Sequence, residues 1–246
     1  MNELNRYLKK MYSNSQMFDF ITHTWNPIIG KCYMSCKFCY VSGYGTNPGK
    51  RKIVSDAFKV DLGTNKFIFV GSGIDLFAPD ITDKQINRII DYCNMFPKNK
   101  YLFHTKNPNR YKYFGFKDNM ILGVSLESNR HYENILINAP SPKKRVRGFT
   151  SGFQSLFKAK TTQPKEKRLV TIEPILDFDL KELTEMVIKI NPMRVYVGAD
   201  SKGHNLPEPS YDKVILLKNK LKEQGISVHL KANINRLKKQ QIMIEL

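Results

Sequence analysis

Residues 31–40 read Lys-Cys-Tyr-Met-Ser-Cys-Lys-Phe-Cys-Tyr and hold three of the four cysteines of this 246-residue chain. The spacing Cys32-x3-Cys36-x2-Cys39 brings three thiolates together in one short loop. A [4Fe–4S] cluster is usually bound by four cysteine thiolates. Because no fourth cysteine follows at a similar spacing, one iron of such a cluster would stay open to another ligand, which favours chemistry over simple electron transfer.

A zinc site is the alternative for the same cysteines. Structural zinc is normally held by four protein ligands, often in paired Cys-x2-Cys units. The fourth ligand would have to be His23 or Cys93, and neither has the spacing of such a unit. The pattern therefore favours an iron–sulfur cluster over zinc.

Outside the cysteine loop, short apolar runs alternate with helical patterns. The runs predict strands that are buried on both faces, at 18–25, 67–70, 101–105, 120–126, 168–174, 194–198 and 226–230. Apolar residues at helical spacing predict helices over 83–95, 180–190 and 210–223. This alternation indicates an α/β fold with about six parallel strands, which is a partial or full (β/α) barrel.

We expect a single domain over residues 1–246, with an N-terminal helix within 1–17, the barrel over 20–235 and a C-terminal tail over 236–246. Four cysteines do not make a disulfide framework, and a reducing compartment favours cluster binding. No apolar run reaches the roughly 18 residues that a membrane span needs, and the first residues have no leader pattern. The expectation is a monomeric, cytoplasmic protein with no membrane partner.

Most predicted strands are followed by a polar or glycine-rich loop. In α/β barrels, the loops at the carboxyl ends of the strands build the active site. The cysteine loop follows the first strand, so it belongs to the same rim. Two independent features therefore predict an active site on one face of the barrel.

The cysteine motif within this predicted fold resembles the radical S-adenosylmethionine (SAM) superfamily. A wider set of motifs resembles a phage and bacterial branch of that superfamily with unassigned function, and more distantly the spore photoproduct lyases. The motifs are Trp25-Asn26-Pro27, Cys39-Tyr40, Asp75-Leu76-Phe77, Thr105-Lys106-Asn107-Pro108, Gly123-Val124-Ser125, Glu173-Pro174 and Val197-Gly198.

The resemblance implies two cofactors and a reaction. Cys32, Cys36 and Cys39 would hold a [4Fe–4S] cluster, whose open iron the amino and carboxylate groups of SAM would chelate. An electron from an external donor would split SAM into methionine and a 5′-deoxyadenosyl radical, which removes a hydrogen atom from the substrate. The protein would bind, orient and exclude water.

The resemblance also implies roles for residues at the strand ends. Gly71-Ser72-Gly73 would bind the SAM amino group through backbone carbonyls, although the usual Gly-Gly-Glu is altered; a simple turn is the alternative. The other cofactor-binding candidates are Asp75, Ser125 and Glu127 for SAM, and Gly198 for close approach of its adenine.

Ser125 and Glu127 would lie on the same face of an alternating strand, and simple strand-end polarity is their alternative. The catalytic candidates are Lys106 and Glu173. Lys106 would meet the SAM carboxylate or a substrate phosphate. Glu173 would face the substrate or be a buried structural carboxylate.

The charge gives the main indication of the substrate. The chain has 40 Lys and Arg against 22 Asp and Glu, a net charge of +18, which attracts polyanions. Residues 143–168 are strongly basic and carry phenylalanines at 149, 153 and 157. These residues would bind phosphates and stack on bases, or form an amphipathic helix that covers the barrel, and the two are compatible.

Three functions stay open. The first is a radical SAM enzyme acting on a nucleic acid or a modified nucleotide. The second is radical SAM modification of a peptide or protein side chain, for which the sequence shows no auxiliary cysteine group. The third is a non-catalytic nucleic-acid-binding protein stabilised by zinc or a cluster.

Overall fold

The structure is a computed structural model that describes residues 6–11, 18–41, 51–156 and 165–245. Its strands are β1 (Leu8–Lys10), β2 (His23–Trp25), β3 (Ile28–Ile29), β4 (Lys52–Ile53), β5 (Phe67–Val70), β6 (Lys100–Thr105), β7 (Met120–Ser125), β8 (Arg168–Ile172), β9 (Arg194–Val197) and β10 (Ser227–Leu230). Its α-helices are α1 (Asp83–Asn94), α2 (Pro142–Leu156), α3 (Leu180–Ile190), α4 (Tyr211–Glu223) and α5 (Asn235–Glu245).

Eight strands form one sheet in the order β1-β2-β5-β6-β7-β8-β9-β10, and β3 pairs with β4 separately. From β2 to β10 every pair is parallel, so seven strands share one direction, and only β1 runs antiparallel. Neighbouring strands follow one another in the chain. Right-handed crossovers then put their helices on one face, as in a (β/α) barrel. Within the described residues β1 does not pair with β10, so the barrel is partial.

Alternate residues of the strands face two different cores. Val70, Phe103 and Val124 belong to the large cluster beneath the helices. Phe69, Leu102, Leu169 and Tyr196 belong to a smaller cluster with Phe18, which precedes β2. The small cluster fills the inside of the barrel below the carboxyl ends of the strands. The polar residues that follow the strands lie above this cluster.

The predicted α/β partial barrel is confirmed, and several element bounds agree closely. The strand at 67–70 and the helix at 180–190 were both predicted with the observed bounds. Helix α1 begins after Thr82, which forms a capping box with Gln85. No helix in the described part of the chain has the length and apolarity to cross a membrane.

The N-terminal helix was predicted wrongly where the structure describes it, and most of the C-terminal tail forms a helix. Residues 8–10 form a strand, in which Leu8 pairs with Trp25 and Lys10 with His23. A helix there would leave the edge of β2 without backbone partners, and such an edge is a liability. At the other end, α5 replaces the predicted tail over most of its length.

Candidate active site

A cavity of about 570 Å³ lies at the carboxyl ends of the parallel strands. This volume is typical of small-molecule sites. Most of the residues predicted from the sequence line its wall, namely Cys32, Cys36, Cys39, Gly71, Ser72, Gly73, Asp75, Lys106, Ser125 and Glu173. The structure thus brings together ten of the twelve candidate residues; Glu127 and Gly198 lie behind this wall.

The cysteine loop is held in place by the segment that follows β7. Cys36 forms a β-bridge with Leu136, and the amide of Lys37 donates to the carbonyl of Ile135 at 2.9 Å. The side-chain amide group of Asn138 also donates to the backbone carbonyl of Tyr33 at 2.7 Å. Residues about 100 positions away therefore fix where the three thiols lie.

The three thiols are partly buried, and burial raises the pKa of Cys32 and Cys36. Burial raises the pKa of the Cys36 thiol to about 11, and nearby Lys106 opposes this shift. The Cys32 sulfur accepts a hydrogen bond from the backbone amide of Asp75 at 3.4 Å. Amide hydrogen bonds to sulfur are among the factors that set the potential of an iron–sulfur cluster.

The three cysteines fit a cubane cluster. All three line the cavity, next to the apolar side chains of Met34 and Phe38, and their sulfurs would be soft thiolate ligands. In the described part of the chain, no three His, Cys, Asp or Glu side chains converge as ligands of a single metal ion would. A cubane does not require such convergence, because each thiolate binds a different iron.

The turn at Gly71-Ser72-Gly73 is fixed by two of the sequence motifs. The amide of Gly73 donates to the Asn26 side chain at 3.0 Å, and the Asn26 amide group donates to the Ser72 hydroxyl at 3.2 Å. The Tyr40 hydroxyl donates to the carbonyl of Ser72. Gly71 has φ +72°, and a Cβ there would lie 2.4 Å from Leu76, so the turn requires glycine.

Asp75 lies in the wall, but its carboxylate is used by the protein itself. It accepts hydrogen bonds from the Thr105 hydroxyl at 2.6 Å and from the amides of Lys106 and Phe77 at 2.8 and 3.0 Å. Burial raises its pKa, against the effect of these bonds. The position favours a structural role, joining the loop after β5 to the end of β6, over the predicted contact with SAM.

Glu127 differs from its prediction. The strand ends at Ser125, and Glu127 has φ +50°, so the alternation that would place both side chains on one face stops between them. Glu127 has no exposed surface, and its carboxylate oxygens lie 2.9 Å from Lys106 Nζ and 2.5 Å from Arg145 Nη1. The geometry suits an orienting role behind Lys106 rather than direct contact with SAM.

Glu127, Lys106 and Arg145 stabilise one another's charged forms. Burial alone would raise the pKa of Glu127, but Lys106 and Arg145 hold it below its usual value. Burial alone would lower the pKa of Lys106, but Glu127 and then Cys36 raise it well above its usual value. A permanently charged ammonium therefore lines the cavity, 5.6 Å from the centre of the Phe38 ring.

Comparison with solved structures identifies the fold. Spore photoproduct lyase in complex with a dinucleoside spore photoproduct is similar over 85% of this chain, with a TM-score of 0.53 and 12% identity. A radical SAM methyltransferase from Sphaerobacter thermophilus is similar over 87%, with a TM-score of 0.56 and 12% identity. The fold is that of the radical SAM enzymes.

The match covers 65% of the lyase chain and 67% of the methyltransferase chain. SuiB of Streptococcus suis is also similar, with a TM-score of 0.54, 12% identity, and coverage of 85% of this chain and 49% of that one. At this identity the likeness shows the fold alone. No protein-family model and no curated protein match the sequence.

In this radical SAM fold, the surroundings of Gly198 give it a neighbour that the sequence did not predict. A Cβ at Gly198 would lie 2.7 Å from Oε1 of Glu173. The space beside the glycine is therefore filled by the Glu173 carboxylate rather than left open for adenine. Oε2 of Glu173 lies 2.5 Å from the ammonium nitrogen of Lys231.

Sequence reasoning missed His104 and Thr171, which lie in the cavity wall beside Ser125. His104 Nε2 is 3.0 Å from the Thr171 hydroxyl, which donates to the Ser125 hydroxyl at 3.2 Å. Burial, with Lys106 and Lys231 nearby, lowers the pKa of His104 to about 3. The sequence signal for this contact was Gly123, because a glycine inside a predicted strand often marks a close neighbour. In the structure a Cβ at Gly123 would lie 2.4 Å from the His104 ring.

The basic segment forms the amphipathic helix that was one of its two predicted interpretations, except that one of its cations is buried. Arg145 is completely buried, and it donates to the carbonyls of Pro140 and Ser125 as well as to Glu127. Val146 and Phe149 are buried on the same helix, whereas Lys143, Lys144 and Arg147 are exposed. The helix therefore covers the barrel with one face. Residues 157–164 and the Phe153 side chain lie outside what the structure describes.

Proposed function

We propose that this chain is a radical SAM enzyme that cleaves SAM reductively at a [4Fe–4S] cluster and removes a hydrogen atom from a nucleic acid or nucleotide. One observation carries the proposal. Within the radical SAM fold, the three cysteines share a single cavity with the Gly71–Gly73 turn and a charged lysine. Three thiolates without a fourth leave one iron open, which electron transfer alone would not need.

Bound to Cys32, Cys36 and Cys39, the cluster would supply the electron that converts SAM into methionine and a 5′-deoxyadenosyl radical. The chain's own groups bind and orient the reactants. The Gly71–Gly73 turn lines the cavity, and its backbone carbonyls would bind an ammonium group. Those of Gly71 and Ser72 also accept hydrogen bonds from the Ile74 amide and the Tyr40 hydroxyl. Lys106 suits a carboxylate, because Glu127 keeps its side chain charged and in position.

The substrate class rests on charge. The crossover helix α2 begins after β7, at the rim of the cavity, and its first two turns expose Lys143, Lys144 and Arg147. A net charge of +18 attracts phosphate backbones to the whole molecule. One structurally similar protein is complexed with a dinucleoside photoproduct, which is compatible with this substrate class.

The cofactor part of the proposal is tested by anaerobic reconstitution. Iron and sulfide content, visible absorption and dithionite-dependent SAM cleavage are measured for wild type, Cys36→Ala and Cys93→Ala. Cys93 is completely buried in α1 outside the cavity wall, so its variant should keep the cluster. Cys36→Ala should lose the absorption and the cleavage. Zinc in place of iron, without SAM cleavage, would contradict the proposal.

The substrate part needs a separate experiment. The reconstituted protein is incubated anaerobically with SAM, dithionite and either mixed RNA or DNA, and the nucleosides are then analysed by mass. A new nucleoside that requires SAM is the expected result. If only peptides added in a parallel reaction are modified, the nucleic-acid substrate is wrong while the radical SAM activity stands.

A further inference from the structure

The cavity wall contains a second polar group, formed by Glu173 and Lys231. The carboxylate and the ammonium are 2.5 Å apart, and both residues line the cavity. The Lys231 side chain is only 9% exposed. Its ammonium nitrogen lies 5.1 Å from the centre of the Phe18 ring, which also faces the cavity.

Three strand ends fix this pair. Beyond β8, the amide of Ile175 donates to the carbonyl of Gly198 at 2.7 Å, and Gly198 leaves the space that the Glu173 carboxylate fills. Beyond β10, the amide of Lys231 donates to the carbonyl of Val197 at 2.8 Å. The two charged side chains therefore start from backbone that is locked into the sheet on both sides, as a recognition site requires.

The charges of the pair decide what kind of ligand it suits. A phosphate beside Lys231 would be repelled by Glu173, and by Asp200 on the same wall. The pair is neutral in sum and offers a hydrogen-bond acceptor directly beside a donor. Glu173 uses one contact to Lys231, and an ionised carboxylate can accept about four hydrogen bonds. A neutral ligand with a donor beside an acceptor fits such a surface.

The edge of a nucleobase has this pattern, and its ring is planar and partly apolar. Bases held outside a helix are typically read by hydrogen bonds to this edge and by stacking on aromatic side chains. Phe18 lies next to the pair and lines the cavity. Its ring is mostly buried and stacks on Phe20, so it would border the base as an apolar contact and not as an open stacking face.

We propose that Glu173, Lys231 and Phe18 form a nucleobase subsite, in which the ion pair binds the polar edge of the base that the radical attacks. This inference rests on the proposed function, because it presumes a nucleic acid substrate. It goes further by naming the base, rather than the sugar or the phosphate, as the group that this wall holds.

The test measures binding by calorimetry to the reconstituted protein with saturating SAM and no reductant, so that the SAM site is filled. The probes are uridine, cytidine, adenosine and guanosine, each compared with ribose 5-phosphate. At least one nucleoside should bind more tightly than ribose 5-phosphate. Glu173→Gln and Lys231→Met should each weaken that binding about tenfold or more, since each leaves a polar partner unpaired.

Glu182→Gln is the matched control, because it makes the same change on the exposed face of α3, and it should bind as wild type does. Circular dichroism and urea unfolding confirm that each variant is folded. The inference is overturned if no nucleoside binds, if ribose 5-phosphate binds equally well, or if both cavity variants bind as wild type does. Iron content and SAM cleavage of the wild type report separately on the proposed function.

Discussion

Arg145 connects the buried charges of the site to the helix that covers it. Its side chain has no exposed surface and lies 2.5 Å from Glu127. Arg145→Met should destabilise the protein by about 3–5 kcal/mol, because the buried Glu127 loses one of its two cationic partners and the carbonyls of Pro140 and Ser125 lose a donor. Urea unfolding measures this. Arg147→Met is the matched control two residues later; Arg147 is exposed, and a loss beyond about 0.5 kcal/mol is not expected there.

If Arg145→Met lowers the free energy of unfolding by less than about 1 kcal/mol, the Arg145–Glu127 pair contributes no more than an exposed ion pair does. That result would contradict its importance for stability. The remaining neighbour of Glu127 in that variant is Lys106, at 2.9 Å. A second measurement reports on the orientation of Lys106, which depends on Glu127. Lys106 is proposed to bind the carboxylate of SAM, and S-adenosylhomocysteine carries the same carboxylate. Affinity for S-adenosylhomocysteine should fall in Arg145→Met and stay unchanged in Arg147→Met.

His104 should make the stability depend on pH. Its folded-state pKa is lowered from 6.5 to about 3, so between these values the unfolded chain binds a proton that the folded chain does not. Stability from this group is therefore present above about pH 6.5 and is lost as the pH falls towards 3, by at most about 1.4 kcal/mol per unit. His104→Gln removes this dependence.

The measurement is the free energy of unfolding of wild type and His104→Gln between pH 7 and pH 4. Carboxylates titrate in both proteins and cancel in the difference. The advantage of wild type over the variant should shrink as the pH falls. A constant difference over this range would show that the buried imidazole takes up its proton as easily in the folded chain as in the unfolded one.

At the residue scale, the sequence predicted which residues reach the cavity better than what each one contacts. The cysteines were found from their spacing, and the Gly71–Gly73 turn and Lys106 from the resemblance of their motifs; the rim argument explains why they meet. Glu127 and Arg145 were misread because they are 18 positions apart and face each other only after α2 packs on the barrel. A residue's own spacing carries no information about such a partner.

Strands β6 and β7 depend on one glycine for their contact inside the barrel. His104 on β6 pairs in register with Gly123 on β7, and its ring reaches over that glycine to Thr171 on β8. A Cβ at position 123 would lie 2.4 Å from the ring. Gly123→Ala should therefore cost about 1–3 kcal/mol, as overpacking does, and displace the His104 ring.

Urea unfolding measures the cost, and the NMR signals of the His104 ring report its displacement. Gly115→Ala is the control, because nothing lies within 4 Å of a Cβ there; it should change stability by no more than about 0.5 kcal/mol. If Gly123→Ala unfolds as the control does and the ring signals do not move, the ring does not need the space above the glycine.

Elements within one βα unit were predictable from the sequence because their signals are local. Helix α1 carries its own capping box and apolar stripe, and β5 is a short apolar run that ends at a glycine. Strand β1 was not predictable in this way. It is three residues long and exists because Leu8–Lys10 pairs with His23–Trp25, a contact that the helical spacing of its apolar residues does not reveal.

At the scale of the whole molecule, the net charge of +18 should appear as salt-dependent binding to nucleic acid. Among the basic residues exposed near the cavity rim, Lys143, Lys144 and Arg147 lie in the first two turns of α2. Replacing all three by Gln should weaken binding to single-stranded DNA or RNA. The slope of log K against log salt should fall by as much as about 2 units, from the loss of three phosphate contacts.

Arg145 stays in this variant, since its charge is buried and removing it would report on folding instead. The matched control replaces Lys98, Lys100 and Lys117 by Gln. These are also exposed, but Lys98 and Lys117 precede β6 and β7 and Lys100 begins β6, at the opposite end of the barrel. Both triple variants lose three positive charges. If only the net charge of the molecule attracts the nucleic acid, the slope of log K against log salt should fall equally in both. A larger fall of the slope in the Lys143, Lys144 and Arg147 variant would place the bound nucleic acid above the cavity. Equal slopes in the two variants would mean that α2 covers the barrel without binding the nucleic acid.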